Sequence, residues 1–337
     1  MYNLHTKSNI HSVIKMLFYL KGGIAIELYY NDTYFQDLEI FYARIPSAHP
    51  QKSYVESQLT HVKIGGRGES KIFRALEEVA FEEPALIIRN FVTQVHEKRI
   101  IQIDYLVVTR KYLLLIEVKN IAGHVKFTLT PPQIIRTLPN KIPQAFDCPF
   151  TQLDRNVDGF QKLFKKLQIP VYSCVVWANP TTTFELSFQP SHPFLTRKKL
   201  PLFIQQLEKL PVSLPEENYS KLKCEILTST KAFKEKSYCS RYQVDEKDLL
   251  PGLYCPECHT VLKKSVRTWI CPTCKIQANH LVATNIFSQF TIRKSHLSVA
   301  EIKKHLPDLE GRIIRSLLLE SGFKVSGYTK SQRYSRE

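Results

Sequence analysis

The sequence predicts an α/β protein. A mixed sheet flanked by helices is followed by a compact cysteine-bearing module and a small helical module. Three observations carry this reading. Residues 85–129 are dense in β-branched and aromatic residues broken by short turns, as consecutive strands are. An amphipathic stretch at 151–168 leads into an apolar run at 171–178, so the order is strand–helix–strand. Two Cys-Pro-x-Cys pairs, Cys255/Cys258 and Cys271/Cys274, are separated by 12 residues.

Taken in order, residues 1–44 read as an N-terminal extension with some helix or strand. IPSAHPQKSY is a linker by its prolines and polar residues. A main domain then spans 45–230. Its first helix covers about 55–80, with Ile72, Phe73, Leu76 and Val79 on one face. Gly65, Gly66 and Gly68 lie just before its start or at it. Strands are expected at 85–92, 100–108, 112–120 and 124–129, and the prolines of 131–143 interrupt the pattern. The helix at 151–168 buries Leu153, Val157, Phe160, Leu163, Phe164 and Leu167. After the strand at 171–178 comes a helical piece at 195–210, and 211–250 carries little pattern. Residues 231–250 read as a linker, 251–280 as the cysteine module and 290–337 as the C-terminal module.

The formal net charge is +16 over 337 residues, which implies an anionic partner such as nucleic acid or a membrane surface. An apolar fraction of 43% excludes a disordered chain. The most apolar N-terminal stretch, 13–30, is interrupted by Lys15, Lys21 and Glu27, so no membrane span is expected. No small-residue cleavage pattern follows it, and a cytoplasmic protein is expected. The paired cysteines suit metal ligation in a reducing compartment. Cys148, Cys174, Cys224 and Cys239 read as buried small hydrophobes.

The predicted hairpin at 100–120 carries Asp104, Glu117 and Lys119 in an otherwise apolar run. With Arg110 and Lys111 at its tip, Asp104 faces Glu117 and Gln102 faces Lys119. Alternation puts these four on one face. It puts Ile101, Ile103, Tyr105, Val107, Leu114, Ile116 and Val118 on the other. Opposed acids are destabilising, and burial adds to the cost. A divalent cation between them removes the conflict. The alternative is a partly exposed hairpin in which Glu117 pairs with Lys119.

Gly65-Gly66-Arg67-Gly68-Glu69, Gln102-Ile103-Asp104 and Glu117-Val118-Lys119-Asn120 with Gly123 together resemble the nuclease-related domain, NERD. That resemblance covers roughly 45–230. It implies a restriction-endonuclease-like, PD-(D/E)xK fold and a metal-dependent nuclease acting on phosphodiesters, with DNA the expected substrate. Asp104, Glu117 and Lys119 match the D…ExK core residue for residue. The proline that gives the motif its first letter is absent, Ile103 standing before Asp104. By the same resemblance Glu69 helps Asp104 and Glu117 hold Mg²⁺ or Mn²⁺, and Gln152 joins the catalytic set. The competing readings are a solvated first-turn acid for Glu69 and a helix-surface amide for Gln152.

The two Cys-Pro-x-Cys knuckles predict a closed, four-thiolate structural Zn²⁺ site of the zinc-ribbon kind, with His259 a bystander. Lys263, Lys264, Arg267 and Trp269 on the intervening hairpin suit phosphate contact and base stacking. Alternatively Trp269 packs over the small core. In the C-terminal module Ser298-Val299-Ala300-Glu301 forms a capping box, Asp308 caps a second helix and Gly322 ends it. Arg312 and Arg315 are nucleic-acid contact candidates on that helix, and 324–334 could turn at Gly327 as a basic wing. A winged-helix module and a plain helical hairpin both fit. Two other functions also fit the sequence. One is a non-catalytic nucleic-acid-binding protein on a nuclease scaffold, and the other a zinc-ribbon protein-interaction module.

Overall fold

In a computed structural model the described residues are 5–10, 13–19, 25–30, 33–139, 141–165, 169–232, 236–266, 268–275, 280–328 and 331–336. The chain forms two compact units. The first comprises Met1–Lys7, Lys15–Tyr30 and Ile64–Phe233, and the second Ser8–Ile14, Asn31–Lys63 and Lys234–Glu337.

The chain begins with β1 (His5–Ile10), β2 (Val13–Tyr19), β3 (Ala25–Tyr30), α1 (Thr33–Arg44) and α2 (Lys52–Glu77). The strand-dense region gives β4 (Ala85–His96), β5 (Arg99–Val108), β6 (Leu113–Lys119), β7 (His124–Leu129), β8 (Pro132–Thr137) and β9 (Gln144–Asp147). Then come α3 (Pro149–Leu163), β10 (Val171–Trp177), β11 (Thr183–Glu185), β12 (Phe194–Thr196), α4 (Leu200–Glu208) and α5 (Glu216–Ala232). The main sheet has the order β1-β2-β3-β4-β5-β6-β10-β12. It is mixed, because β3–β4, β6–β10 and β10–β12 pair parallel while β4–β5 and β5–β6 pair antiparallel.

Each face of this sheet is covered. On one, Leu86, Ile88, Leu106, Val108, Leu113 and Leu115 pack with Leu153 and Phe160 of α3 and with Tyr219, Leu222 and Ile226 of α5. On the other, Ile87, Tyr105, Val107, Leu114 and Ile116 pack with Ile72, Ala75 and Leu76 of α2 and with Leu200, Ile204 and Leu207 of α4. A continuous apolar run in β6 follows from this, since both of its faces are dry.

Several sequence expectations are corrected here. Residues 131–143 do not merely interrupt the pattern. They include β8, which pairs with β7 and β9 in a small sheet ordered β11-β7-β8-β9. Pro132 is tolerated because it opens its strand. Helix α2 runs straight through Gly65, Gly66 and Gly68 instead of starting at them. At Gly68 the reason is close approach, since a Cβ there would stand 2.5 Å from Asn120 Cβ. Helix α3 stops at Leu163, and Leu167 lies outside the described residues.

The second unit holds α6 (Tyr238–Tyr242), β13 (Lys263–Lys264), β14 (Trp269–Ile270), α7 (His280–Ile292), β15 (His296–Leu297), α8 (Val299–His305), α9 (Gly311–Glu320), β16 (Lys324–Ser326) and β17 (Arg333–Ser335). Leu38, Ile40 and Phe41 of α1 pack there with Tyr238, Tyr242 and Ile292. The capping box of α8 is formed on both sides: Ser298 accepts from the Glu301 N–H, and the Glu301 carboxylate accepts from the Ser298 N–H. The cap of α9 is Glu310, not Asp308, and Gly322 follows the helix at φ +75°. The sheet β15-β17-β16 closes on α7–α9 in helix–strand–helix–helix–strand–strand order. The module is therefore more than a plain helical hairpin, and Gly327 turns the chain between β16 and β17 at φ +76°.

Candidate active site and candidate metal centre

The predicted hairpin register holds. Tyr105 pairs with Ile116, Leu106 with Leu115, Val107 with Leu114 and Val108 with Leu113. The ladder then stops one rung short of Asp104 and Glu117. There the Asp104 carboxylate accepts the Val118 N–H at 2.7 Å, in place of a backbone partner. A side chain therefore splays the strands and points the acid into the gap.

The predicted single apolar face is not what forms. Ile101 and Ile103 pack on the α3 side of the sheet, whereas Tyr105 and Val107 pack on the α2 side. Strand β4 changes face at the same level, with Ile87 on the α2 side and Phe91 on the α3 side. Arg89↔Tyr105 and Phe91↔Ile103 keep one register, and between them lie Asn90 and Asp104. Asn90 adopts φ +56°, the left-handed region that asparagine tolerates better than most residues. Its side-chain oxygen accepts from Gln102 Nε2 at 2.8 Å. Asp104 thus sits where both strands turn over together.

Strand β10 sets the other half of the site. It pairs Val175 with Glu117 and Trp177 with Lys119, and the Ala178 N–H donates to Lys119 O at 2.8 Å. Trp177 Nε1 donates to Ile121 O at 2.9 Å, holding the chain beyond β6. Glu117 is buried at 2% exposure, with Lys119 Nζ donating to its Oε1 at 2.6 Å. The same ammonium donates to Gln152 Oε1 at 2.9 Å, so α3 braces the lysine from its N-terminal turn. Glu117 Oε2 is buried with no hydrogen-bond partner among the described residues.

The electrostatics are those of a site that is short of positive charge. Burial first, then Glu117 and Glu69, hold Asp104 well above the usual carboxylate range; Lys119 and the Val118 N–H offset this only in part. Burial likewise raises Glu117 despite Lys119. For Lys119 burial acts downward, but Glu117 and Asp104 outweigh it and the ammonium is held above its usual range. A cation beside Asp104 and Glu117 would reverse the penalty on both acids. The partnerless Oε2 offers it a free donor atom, and the residues present fit a divalent ion on that ground.

Glu69 stands apart from this pair. Its carboxylate accepts from Arg89 Nε at 2.8 Å, and its backbone oxygen accepts from the Tyr105 hydroxyl at 2.9 Å. Its charge reaches Asp104 and Glu117. Yet among the described residues the four cysteines are the one group of three or more candidate ligands whose ligating atoms converge. Sequence reasoning missed Arg89. The signal was available, a lone cation in the apolar run ALIIRNFV, of the same kind that drew attention to Asp104. It also missed Asn90 and Asp147, which no local pattern marks.

Residues 64–178 match the family model of the nuclease-related domain. This segment is a NERD domain. It opens inside α2, ends just after β10, and contains Glu69, Asp104, Glu117, Lys119 and Gln152. No curated protein matches the chain, and no solved structure does.

Outside the NERD domain, the four predicted thiols do come together. The Sγ atoms of Cys255, Cys258, Cys271 and Cys274 lie within 4.8 Å of one another, as tetrahedral thiolate ligation requires. The intervening hairpin forms, with Lys263 opposite Ile270 and Lys264 opposite Trp269. His259 is directed away from the cysteines, its Nε2 on the Glu39 carboxylate. Lys263 and Lys264 are exposed. Trp269 is buried at 8% exposure and packs in the core with Leu262 and Ile286, which corrects its assignment as a base-stacking residue. Arg267 lies outside the described residues. Arg312 is exposed on α9 and pairs with Glu310 at 2.6 Å; Arg315 is also exposed. No helix of the described residues is long and apolar enough to cross a membrane.

Proposed function

We propose that the NERD domain is a divalent-metal-dependent nuclease that hydrolyses phosphodiester bonds in DNA. The observation that carries this reading is the buried, partnerless Oε2 of Glu117 beside an Asp104 whose carboxyl is held well above the usual carboxylate range by burial and by Glu117 and Glu69. Two acids left in that state are a cost to the fold that a Mg²⁺ or Mn²⁺ ion removes. Asp104 and Glu117 would hold the ion, with Glu69 adding negative charge from its place on Arg89. Bound there, the ion supplies Lewis acidity to the phosphoryl oxygen and lowers the pKa of an attacking water.

The chain's own residues do the rest. Lys119 has three donors, of which Glu117 and Gln152 take two. The third has no partner among the described residues and would orient the water or meet the charge that develops on the phosphorus oxygens. Gln152 is a positioning residue that fixes the ammonium against α3. The four-cysteine centre would hold a structural Zn²⁺, and the C-terminal module with Arg312 and Arg315, together with Lys263 and Lys264, would supply phosphate contacts.

The test is incubation of linear, circular and single-stranded DNA with Mg²⁺ or Mn²⁺. Asp104→Ala, Glu117→Ala and Lys119→Ala should each lower cleavage by roughly 10²-fold or more. DNA binding in EDTA should stay within about twofold of wild type, since phosphate contacts elsewhere dominate affinity. Undiminished cleavage by these variants overturns the assignment. The Glu69–Arg89 pair, which takes one acid out of the ligand set, favours a second reading, a DNA-binding protein that retains the scaffold without catalysis. That reading predicts salt-dependent binding and no strand loss in any metal. For the cysteine centre, Cys271→Ser should release bound zinc, measured by elemental analysis, and lower the melting temperature of the second unit.

A further inference from the structure

Next to Lys119 a cleft of about 330 Å³ opens in the NERD domain. Gln152, the brace of Lys119, is part of its wall, and so is Asp147, whose charge reaches the same ammonium. Gln102, Ile100, Arg99 and Arg155 are also part of the lining. The volume lies at the small end of ligand pockets and suits one nucleotide rather than a base pair.

The lining has the parts that a nucleotide needs. Arg99 is fixed in place, donating to Asp158 Oδ2 at 2.7 Å and to Arg155 O at 2.6 Å. Arg155 is exposed, and its guanidinium has no ion pair among the described residues. Both cations line the cleft, where they can meet a backbone phosphate. Ile100, 53% exposed on β5, offers an apolar surface against which a base or sugar can pack. The wall is ordered from beneath as well, because Asn156 Nδ2 donates to Gln102 O at 2.6 Å.

We infer that this cleft is a subsite for the unpaired nucleotide adjoining the scissile phosphate, and that the enzyme's substrate is single-stranded or frayed DNA. The inference rests on the nuclease reading for its orientation. A base within a duplex is paired and stacked, and reaching a cleft of this size requires unpairing at a cost of a few kcal/mol. A single strand or a frayed end enters without that cost. Arg155 holds the phosphate, Arg99 adds fixed positive charge beside it, and Ile100 packs against the base or sugar.

The experiment uses the full chain in EDTA, so that binding is read without cleavage. Fluorescence anisotropy compares a labelled thymidine decamer with a blunt duplex of random sequence. Arg155→Ala should weaken decamer binding about tenfold, the loss of one charge-assisted phosphate contact, and leave duplex binding within about twofold. Arg155→Lys should recover part of the loss. Thr151→Trp, a substitution at an exposed position of the same wall, should block the decamer by filling the cleft. In Mg²⁺, Arg155→Ala should raise KM on single strands with little change in kcat. Equal losses on decamer and duplex, or no loss on either, overturn the subsite. If wild type fails to cleave in Mg²⁺ or Mn²⁺ while the decamer result stands, the nuclease reading falls and the subsite remains as a single-strand contact.

Discussion

At the scale of single residues, the site is legible as charge where charge is costly. Asp104, Glu117 and Lys119 stand out in an apolar run, and all three meet at the end of β6. Arg89 stood out equally and completes the surroundings of Glu69. What could not be read was Asp104's own conformation. The hairpin register was right, but the face switch depends on Asn90 across the strand pair, a tertiary event with no local signature. The raised acids have a thermodynamic consequence. Between the ordinary carboxylate pKa and their raised values, the folded chain binds more protons than the unfolded one. Stability therefore falls as pH rises through that window, and above it the full cost is present. Mg²⁺ should accordingly raise the melting temperature more at about pH 8 than at about pH 5, because protons compete with the ion for these acids increasingly as pH falls. Asp104→Asn keeps an oxygen for the Val118 N–H and removes the charge. In metal-free buffer at about pH 8 it should melt a few degrees higher than wild type, roughly 1 kcal/mol, and should lose the Mg²⁺ increment. A lower melting temperature for Asp104→Asn would show that the acid stabilises the apo fold.

At the scale of elements, strands were easier to read than their interruptions. The β-branched runs gave β4–β7 and β10 in place, because burial on both faces leaves little room for polar residues. Strand β8 is hidden by its prolines; the helix expected at 55–80 forms, with its glycines inside it rather than at its start. Helix propensity alone disfavours those glycines, and the neighbour that demands one of them is far along the chain. Gly68 lies against Asn120, whose Nδ2 donates to Ile64 O at 2.9 Å and ties the end of β6 to the helix. Gly68→Ala would force that side chain aside. A loss of about 1–3 kcal/mol is expected in chemical denaturation, as for other overpacked contacts. A wild-type midpoint for this variant would mean that Asn120 swings out freely. Trp269 shows the opposite limit. Its place among basic residues suggests a nucleic-acid contact, but the indole is drawn into a core shared by the cysteine module and the C-terminal helices.

At the scale of the whole molecule, composition indicated the partner class and chain order misled about organisation. The N-terminal segment reads as an extension. Its strand β3 nevertheless pairs along β4 from Ile26↔Ala85 to Tyr30↔Arg89, and its helix α1 buries Leu38, Ile40 and Phe41 in the second unit. Neither contribution has a local signature, since each is defined by partners far along the chain. Deleting residues 1–44 should therefore expose one edge of the NERD sheet and open the core of the second unit. Limited proteolysis of the truncated chain should show both units cut faster than in the full chain. If both remain as resistant as before, the segment is dispensable to the fold.

The joint turnover of β4 and β5 also bears on which length changes the hairpin can absorb. Losing Asn90 alone, or Asp104 alone, would put the two strands out of step and drive one row of apolar side chains into water. Losing both would restore a plain ribbon that packs well and carries no acid at the gap. The fold therefore resists the loss of either residue singly, and the route to an inert scaffold needs two coordinated deletions. A chain that still has both residues, with the acid drawn into the gap, has not taken that route.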